Sequence, residues 1–342
     1  MMIQNNDEII LSICIPTYNR PKEFERMLLG LLPQLTKETE VVVRDDSPSS
    51  ESKEIFDRLI GGTGIRYQYF SGDKIGLDAA SLFLLEHAKG TFFWLFSDDD
   101  ELVNGGVAEV VNLIKSNPEL NLIWANFDSD LPRGIAIMDR QSSFFHDGSE
   151  ALEVLGTGIG LVSTQIFRRE KGLLGLEVAR KHVVGFSFAS TAVFLHVLSG
   201  PGKFYFMNGP YVLCHPTSNE ETKKATTKTG KIINEGFNVY GIDFFSIVKE
   251  FEGKFSKRAI KKMLATNFAA LWRGMLVGWV GGWDTPIGKR WKMFKYYWNF
   301  PEFWLAIPFF LMPLWVNKYL YRAYKIFFSH GKFTFGKMRG EQ

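Results

Sequence analysis

Three short polar clusters hold the side chains with the most chemistry to offer. Asp98-Asp99-Asp100 follows the apolar run TFFWLF. Three adjacent carboxylates repel one another and carry a desolvation cost if buried unpaired. A divalent cation resolves that cost. Mg2+ or Mn2+ prefers hard oxygen ligands, commonly one or two carboxylates plus substrate phosphates. Asp45-Asp46 follows EVVVR, and Pro16-Thr17-Tyr18-Asn19 ends the apolar run Ile9–Ile15. A carboxylate so placed can accept the imide N–H of a uracil or thymine ring, and a tyrosine can stack on the base. Each cluster alone also reads as a solvated turn, since Asp-Ser-Pro is ordinary turn chemistry. The three together, in this order, favour a site.

The elements that must position these clusters alternate. Apolar runs at Ile9–Ile15, Glu40–Val43, Ile65–Phe70 and Thr91–Phe96 read as strands, with another near 120–126. Between them, helical spacing predicts a helix after Pro21, with Phe24, Met27, Leu28, Leu31 and Leu32 on one face and Asn19 as its cap. Further helices are expected near 51–60, 77–88 and 105–116. Such alternation implies a mainly parallel sheet with helices on both faces, and ligands on such sheets bind beyond the carboxyl ends of strands. All three polar clusters fall at those ends. The middle of the chain is less regular, with a helix near 187–199, a strand at Lys203–Met207 and a polar loop over Pro216–Lys231. From about 232 onward the pattern is mostly helical.

Composition sets outer bounds. The chain has 342 residues, 46% hydrophobic and 23% charged, which excludes a disordered or collagen-like protein. Two cysteines, Cys14 and Cys214, cannot build a disulfide scaffold, and they read as reduced and cytosolic. The N-terminal residues MMIQNNDEII lack a signal-peptide pattern. The net charge of +3 hides an asymmetry, because residues from 285 onward carry a net +8 and the remainder −5. That tail also holds 18 of the 51 aromatic residues. A basic, aromatic tail on a mildly acidic body asks for an anionic surface.

SICIPTYNR, VVVRDDSPSS and GTFFWLFSDDDELV, in that order, resemble the nucleotide-sugar domain of the GT-A glycosyltransferases of family 2. The resemblance covers residues 9–115. A weaker likeness, carried by GLVSTQIFRRE, GFSFASTAVFLHVLSGPGKFYF and YVLCHPTSN, extends to bacterial O-antigen and capsule sugar transferases of the abequosyltransferase-like group. The resemblance implies an α/β fold: a Rossmann-like GT-A domain with a mostly parallel sheet, then an acceptor region; the composition of the tail adds a C-terminal helical membrane-associating segment. The implied divisions are a nucleotide-sugar half at 1–125, an acceptor half at 126–235, a helical region at 236–284 and a basic aromatic tail at 285–342. Pro16, Thr17, Tyr18 and Asp46 match nucleoside-holding positions, with Asn19 and Asp45 beside them. Asp98 matches the ribose-side carboxylate. Asp99 and Asp100 match the end of the motif that binds Mn2+ or Mg2+. The metal there bridges the diphosphate and stabilises the leaving nucleotide.

The chain departs from the pattern in several places. The family often has Asn before Ile-Gly, and again four residues after that Gly; here Lys74 and Ala80 stand there. Lys74 reaches a phosphate or faces solvent. Inverting members usually place an acid on the acceptor side to deprotonate the attacking hydroxyl, yet Gly185–Leu198 contains none. Asp128 and Asp130, at the end of a strand of the same sheet, are the preferred base candidates, ahead of Glu170, Glu177, His182 and His196. His215 is a candidate contact for the metal or pyrophosphate. Arg168-Arg169 reads as a diphosphate contact or a plain charged strand end.

Phe300–Val316 is apolar but interrupted by Pro301, Glu302, Pro308 and Pro313, short of the ~20 residues a spanning helix wants. Its flanks, WKMFKYYW and NKYLYRAYKIFF, suit a headgroup interface. The density of Phe, Leu, Ile and Trp argues against nucleic acid as a partner. The expectation is a peripheral, monotopic enzyme on the cytoplasmic face of the inner membrane. Its donor is a nucleotide-diphosphate sugar of the UDP, dTDP, CDP or GDP type, and its acceptor a polyprenyl-linked glycan in bacterial surface polysaccharide assembly. The resemblance to family 2 further implies that the reaction is metal-dependent and inverts the anomeric carbon. A polyprenyl-phosphate sugar transferase and a non-catalytic nucleotide-sugar-binding scaffold stay open as alternatives.

Overall fold

Every residue of Leu11–Thr17 and of Thr39–Asp45 is buried, as strands covered on both faces must be. A computed structural model places them at the heart of an α/β fold. It describes residues 8–129, 141–183, 188–215, 242–265 and 287–301, together with 303, 304, 307, 308, 315, 316 and 319. In chain order the elements begin β1 (Leu11–Thr17), α1 (Pro21–Leu31), β2 (Thr39–Asp45), α2 (Glu51–Ile60), β3 (Arg66–Ser71), α3 (Leu77–His87), β4 (Phe92–Leu95), β5 (Glu101–Leu102), α4 (Gly106–Ser116) and β6 (Leu120–Ser129). They continue with β7 (Ser143–Phe145), α5 (Gly148–Leu155), β8 (Gln165–Arg168), α6 (Arg169–Leu174), α7 (Leu176–Arg180), α8 (Phe188–Ser199), β9 (Lys203–Cys214), α9 (Phe244–Glu250) and α10 (Ile287–Tyr297).

The strands form one sheet in the order β3-β2-β1-β4-β8-β6-β9-β5, with β7 also on β9. From β3 to β4 every pairing is parallel, as the alternating pattern requires. β8 is inserted antiparallel between β4 and β6, while β6 and β9 run parallel. The chain leaves β1 toward β2 on one side and reaches β4 on the other. That reversal opens a crevice at the carboxyl ends, the usual ligand position of such sheets. The apolar faces of α1 (Phe24, Met27, Leu28, Leu31) and α2 (Phe56, Ile60) are buried, each large side chain so placed contributing about 1.5–3 kcal/mol.

Several local expectations change. Asn19 does not cap α1: Arg20 holds the N-cap position without a side-chain cap bond, Pro21 starts the helix, and Asn19 takes a left-handed φ of 54°. Asparagine tolerates that region because its short polar side chain bonds locally. The strand expected at Lys203–Met207 runs on to Cys214, bending at Gly209 with φ 106°. β5 forms inside the loop after the acidic motif and pairs with β9.

The chain divides into two units, one of residues 1–217 with 250–260, the other of 218–249 with 261–342. The division expected at 125 falls inside β6, so both expected halves contribute to one sheet. Asp130, the polar loop Pro216–Lys231 and much of the tail lie outside the described residues. Among the described residues, no helix is long and apolar enough to cross a membrane.

Candidate active site

The parallel register sets the first contacts. Thr17 lies opposite Asp45 across β1 and β2, and the Asp46 N–H donates to the Thr17 carbonyl at 3.0 Å. The next strand over, β4, ends at Leu95 opposite Cys14. Its continuation, Phe96 to Asp100, therefore lies beside the end of β1. Thr17 Oγ1 donates to Asp98 Oδ2 at 2.7 Å. Residues 81 apart in sequence thus meet through two neighbouring strand ends.

Asp45 and Asp46 are both buried and both occupied. Asp45 Oδ1 accepts the Ser47 N–H at 2.8 Å, and its Oδ2 accepts the Tyr69 hydroxyl at 2.6 Å. Burial, then Asp45 itself, holds the Tyr69 phenol well above its ordinary pKa. Asp46 Oδ1 accepts Arg44 Nε at 2.9 Å, while its Oδ2 accepts the amides of Ile75 and Gly76, both at 2.9 Å. Asp46 therefore folds the loop that carries Lys74. Gly76 there has φ +85°, a conformation that side chains resist. Lys74 is exposed, as one of its two readings expected, and its Nζ sits 3.7 Å from the centre of the Tyr18 ring, a cation–π contact.

The acidic trio divides its attention. Arg20 Nη1 donates to Asp98 Oδ1 at 3.1 Å and to Asp99 Oδ2 at 2.8 Å. Burial opposes the Arg20 charge, but the Asp98 and Asp99 carboxylates outweigh it and raise its pKa. Ser97 Oγ donates to Asp99 Oδ1 at 2.5 Å. Asp100 turns the other way, its Oδ2 accepting Ser163 Oγ at 2.5 Å and its carboxylate also bonded to the Cys214 thiol. Burial pushes the Asp98 carboxyl up to about 6, against the pull of Arg20. It pushes Asp100 up to about 7, with Asp99 adding to the rise. The thiol of Cys214 is raised by burial and then by Asp100.

These are hard oxygen donors in a buried site whose negative charge Arg20 offsets only at Asp98 and Asp99, so the donor set suits Mg2+ or Mn2+. Among the described residues, no group of three or more His, Cys, Asp or Glu side chains forms a metal cage. By its donor chemistry the set fits an ion held by one or two carboxylates and completed by substrate oxygens. His215 Nε2 lies 3.2 Å from Glu101 Oε1, next to the end of the acidic motif, and Glu101 in turn pairs with Arg26 Nε at 2.7 Å.

Among the base candidates, Asp128 sits at the end of β6 opposite Leu213, close enough to add to the rise at Cys214. The strand pairing of β6 with β9 thus brings it toward Asp100. The others are elsewhere. Glu177 is exposed on α7, His182 Nε2 lies 2.8 Å from Glu250 Oε1, and His196 lies on α8 against Gly175. Arg168 faces Phe92, the first residue of β4, and donates to the Leu120 carbonyl; Arg169 donates to the carbonyls of Leu85 and Glu86. The antiparallel insertion of β8 puts this pair and Glu170 at the end of the sheet away from the site. Sequence reading missed Arg20, Ser163 and Cys214. Arg20 was within reach, directly after Pro16–Asn19, whereas nothing local marks the other two.

The mixed, mostly parallel sheet with its flanking helices is an α/β fold of the GT-A kind. Residues 12–171 match the model of Glycosyl transferase family 2, and this part of the chain is a domain of that family. The GalNAc(5)-diNAcBac-PP-undecaprenol beta-1,3-glucosyltransferase of Campylobacter jejuni is 30% identical over 118 residues, 34% of this chain and 37% of that one. The chain thus spans a little over a third of that relative's length. Abequosyltransferase RfbV of Salmonella typhimurium is 21% identical over 282 residues, 76% of this chain and 79% of that one. Among solved structures, S. aureus TarS 1-349 in complex with UDP-GlcNAc superposes with a TM-score of 0.57 at 14% identity, covering 84% of this chain and 79% of that one. The mannosyltransferase PcManGT from Pyrobaculum calidifontis, in complex with GDP-Man and Mn2+, gives 0.50 at 13% identity over 94% and 88% of the two chains. These likenesses to solved structures show a shared fold.

Proposed function

We propose that this chain transfers a sugar from a nucleotide-diphosphate donor to a polyprenyl-linked glycan during bacterial surface polysaccharide assembly. The observation that carries the reading is the meeting of Thr17, Asp45-Asp46 and Asp98–Asp100 at the carboxyl ends of β1, β2 and β4. Two neighbours of the fold carry UDP-GlcNAc or GDP-Man with Mn2+, and the Campylobacter relative acts on a PP-undecaprenol glycan. The donor is of the UDP, dTDP, CDP or GDP type.

Each residue has a task in this scheme. Tyr18 offers its ring to the base, with Lys74 over it. Thr17 and Arg20 hold the Asp98 carboxylate toward the ribose side. Asp99 and Asp100 would hold a divalent ion, which supplies Lewis-acid stabilisation of the departing nucleotide diphosphate. Asp128 takes the proton from the attacking acceptor hydroxyl, with Asp130 the second candidate; direct displacement then inverts the anomeric carbon. The protein works peripherally at the cytoplasmic face of a membrane, where a lipid-linked acceptor is anchored.

Calorimetric titration with UDP, dTDP, CDP and GDP, each with and without Mn2+ or Mg2+, tests the donor site. One nucleotide is expected to bind in a metal-dependent way, and its sugar to be transferred to a polyprenyl-diphosphate-linked glycan. Metal-independent transfer, or no binding of any nucleotide, overturns the reading.

A further inference from the structure

α10 has two unlike faces. Met293 and Tyr297 are fully buried, with the Tyr297 ring edge-on to Phe245 of α9 at 5.9 Å. Tyr296 Oη lies 3.0 Å from Ser246 Oγ, so the same side of α10 is fixed to α9 by a polar contact as well. The other side carries Trp291 and Lys295 at i and i+4, continued by Trp298 one residue past the helix end, while Lys292 lies on the flank between the two faces with its Nζ 3.4 Å from Ser246 Oγ; all four are exposed. Trp291 is 75% and Trp298 56% exposed. Just beyond the helix, Trp304 is also exposed and donates its indole N–H to the Trp298 carbonyl at 2.8 Å, tying one outward indole to the backbone of another.

An indole left in water forgoes the burial that its large apolar surface would gain, whereas at headgroup depth its ring is apolar-solvated and its N–H stays wet. Lysines beside it meet anionic headgroups. The chain from residue 285 onward carries a net +8. The exposed charges described on α10 are Lys292 and Lys295 and the helix has no acidic residue, so a second copy would meet this face with like charge, whereas an anionic lipid layer is complementary. We propose that the Trp291–Lys295–Trp298 face of α10 docks on an anionic bilayer, with the indoles at headgroup depth and the lysines paired to lipid phosphates. The proposal deepens the reading of a lipid-linked acceptor and rests on it for its purpose, not for its geometry.

The test uses the full chain with vesicles of phosphatidylcholine alone or with phosphatidylglycerol. The wild type is expected to sediment with the anionic vesicles only, to release in 0.5 M salt, and to lose tryptophan fluorescence to brominated anionic lipid (quenching at headgroup depth, ~10 Å or less). The pairs Trp291→Ser with Trp298→Ser, and Lys292→Glu with Lys295→Glu, should each weaken vesicle affinity about tenfold or more, with unchanged melting temperature and nucleotide binding. Equal binding to neutral vesicles, salt-resistant binding without quenching, undiminished binding by both pairs, or a fall in oligomeric mass caused by them would each overturn the proposal. Loss of nucleotide binding in the wild type would count against the donor site and leave this surface standing.

Discussion

Ser163 Oγ donates to Asp100 Oδ2 at 2.5 Å and at the same time accepts the Ser97 N–H at 2.9 Å. Its carbonyl accepts the Trp94 indole at 2.8 Å. One buried serine, in the turn before β8, thus ties both ends of the acidic motif to the strand that precedes it. Ser163→Ala leaves a buried carboxylate and a buried amide short of a partner, at a cost of about 1–3 kcal/mol. Urea denaturation should show that loss, and calorimetry should show weaker Mn2+-dependent nucleotide binding. Ser163→Thr, which keeps the hydroxyl, should recover more of the binding than Ser163→Ala.

Asp99→Asn and Asp100→Asn each retain shape but remove charge from the donor set. Each should lower kcat by about 10²–10³-fold, the usual scale for losing a group that stabilises developing charge. Chelation with EDTA should abolish turnover of the wild type, and added Mn2+ or Mg2+ should restore it. Circular dichroism should show both variants folded.

Asp46 accepts from Arg44, Ile75 and Gly76, and its pair with Arg44 is almost wholly buried. Asp46→Ala strands the Arg44 charge and frees the loop under Lys74. Breaking a buried pair costs about 3–5 kcal/mol, so urea denaturation should show a loss of that order. Because the same loop holds Lys74 over Tyr18, nucleotide affinity should fall as well.

Asp128→Asn should cut transfer by about 10²–10⁴-fold, the range for removing a general base, while leaving nucleotide binding intact. Steady-state kinetics set beside calorimetry separate the two effects. Undiminished turnover in this variant would move the base to Asp130.

His196 supplies a pH dependence. Burial, then Lys254, lowers its pKa from the ordinary 6.5. The folded ring stays neutral where the unfolded one takes a proton. Its contribution to stability is therefore complete above about pH 6.5 and is lost as pH falls through the lower folded value. Thermal melts at stepped pH should show a shallower acid loss in His196→Gln than in the wild type.

Local pattern alone determined the alternation of strands and helices through residue 116, and it placed three polar clusters at strand ends. Burial on both faces favours apolar runs, and a polar residue inside one needs a partner, as Ser12 and Glu40 find in each other at 2.6 Å, so polar clusters collect where the runs stop and both features are written largely in consecutive residues. What that pattern could not show is which cluster touches which. The bond from Thr17 to Asp98 spans 81 residues and that from Ser163 to Asp100 spans 63. β8 enters antiparallel between β4 and β6, which carries Ser163 to the acidic motif and Arg168 away from it. The reach of Asp46 to the loop at Ile75-Gly76, and of Lys74 to Tyr18, depends on the register of β2 beside β1 and β3. Such contacts are decided by packing between distant segments, and no propensity or period within a single segment records them.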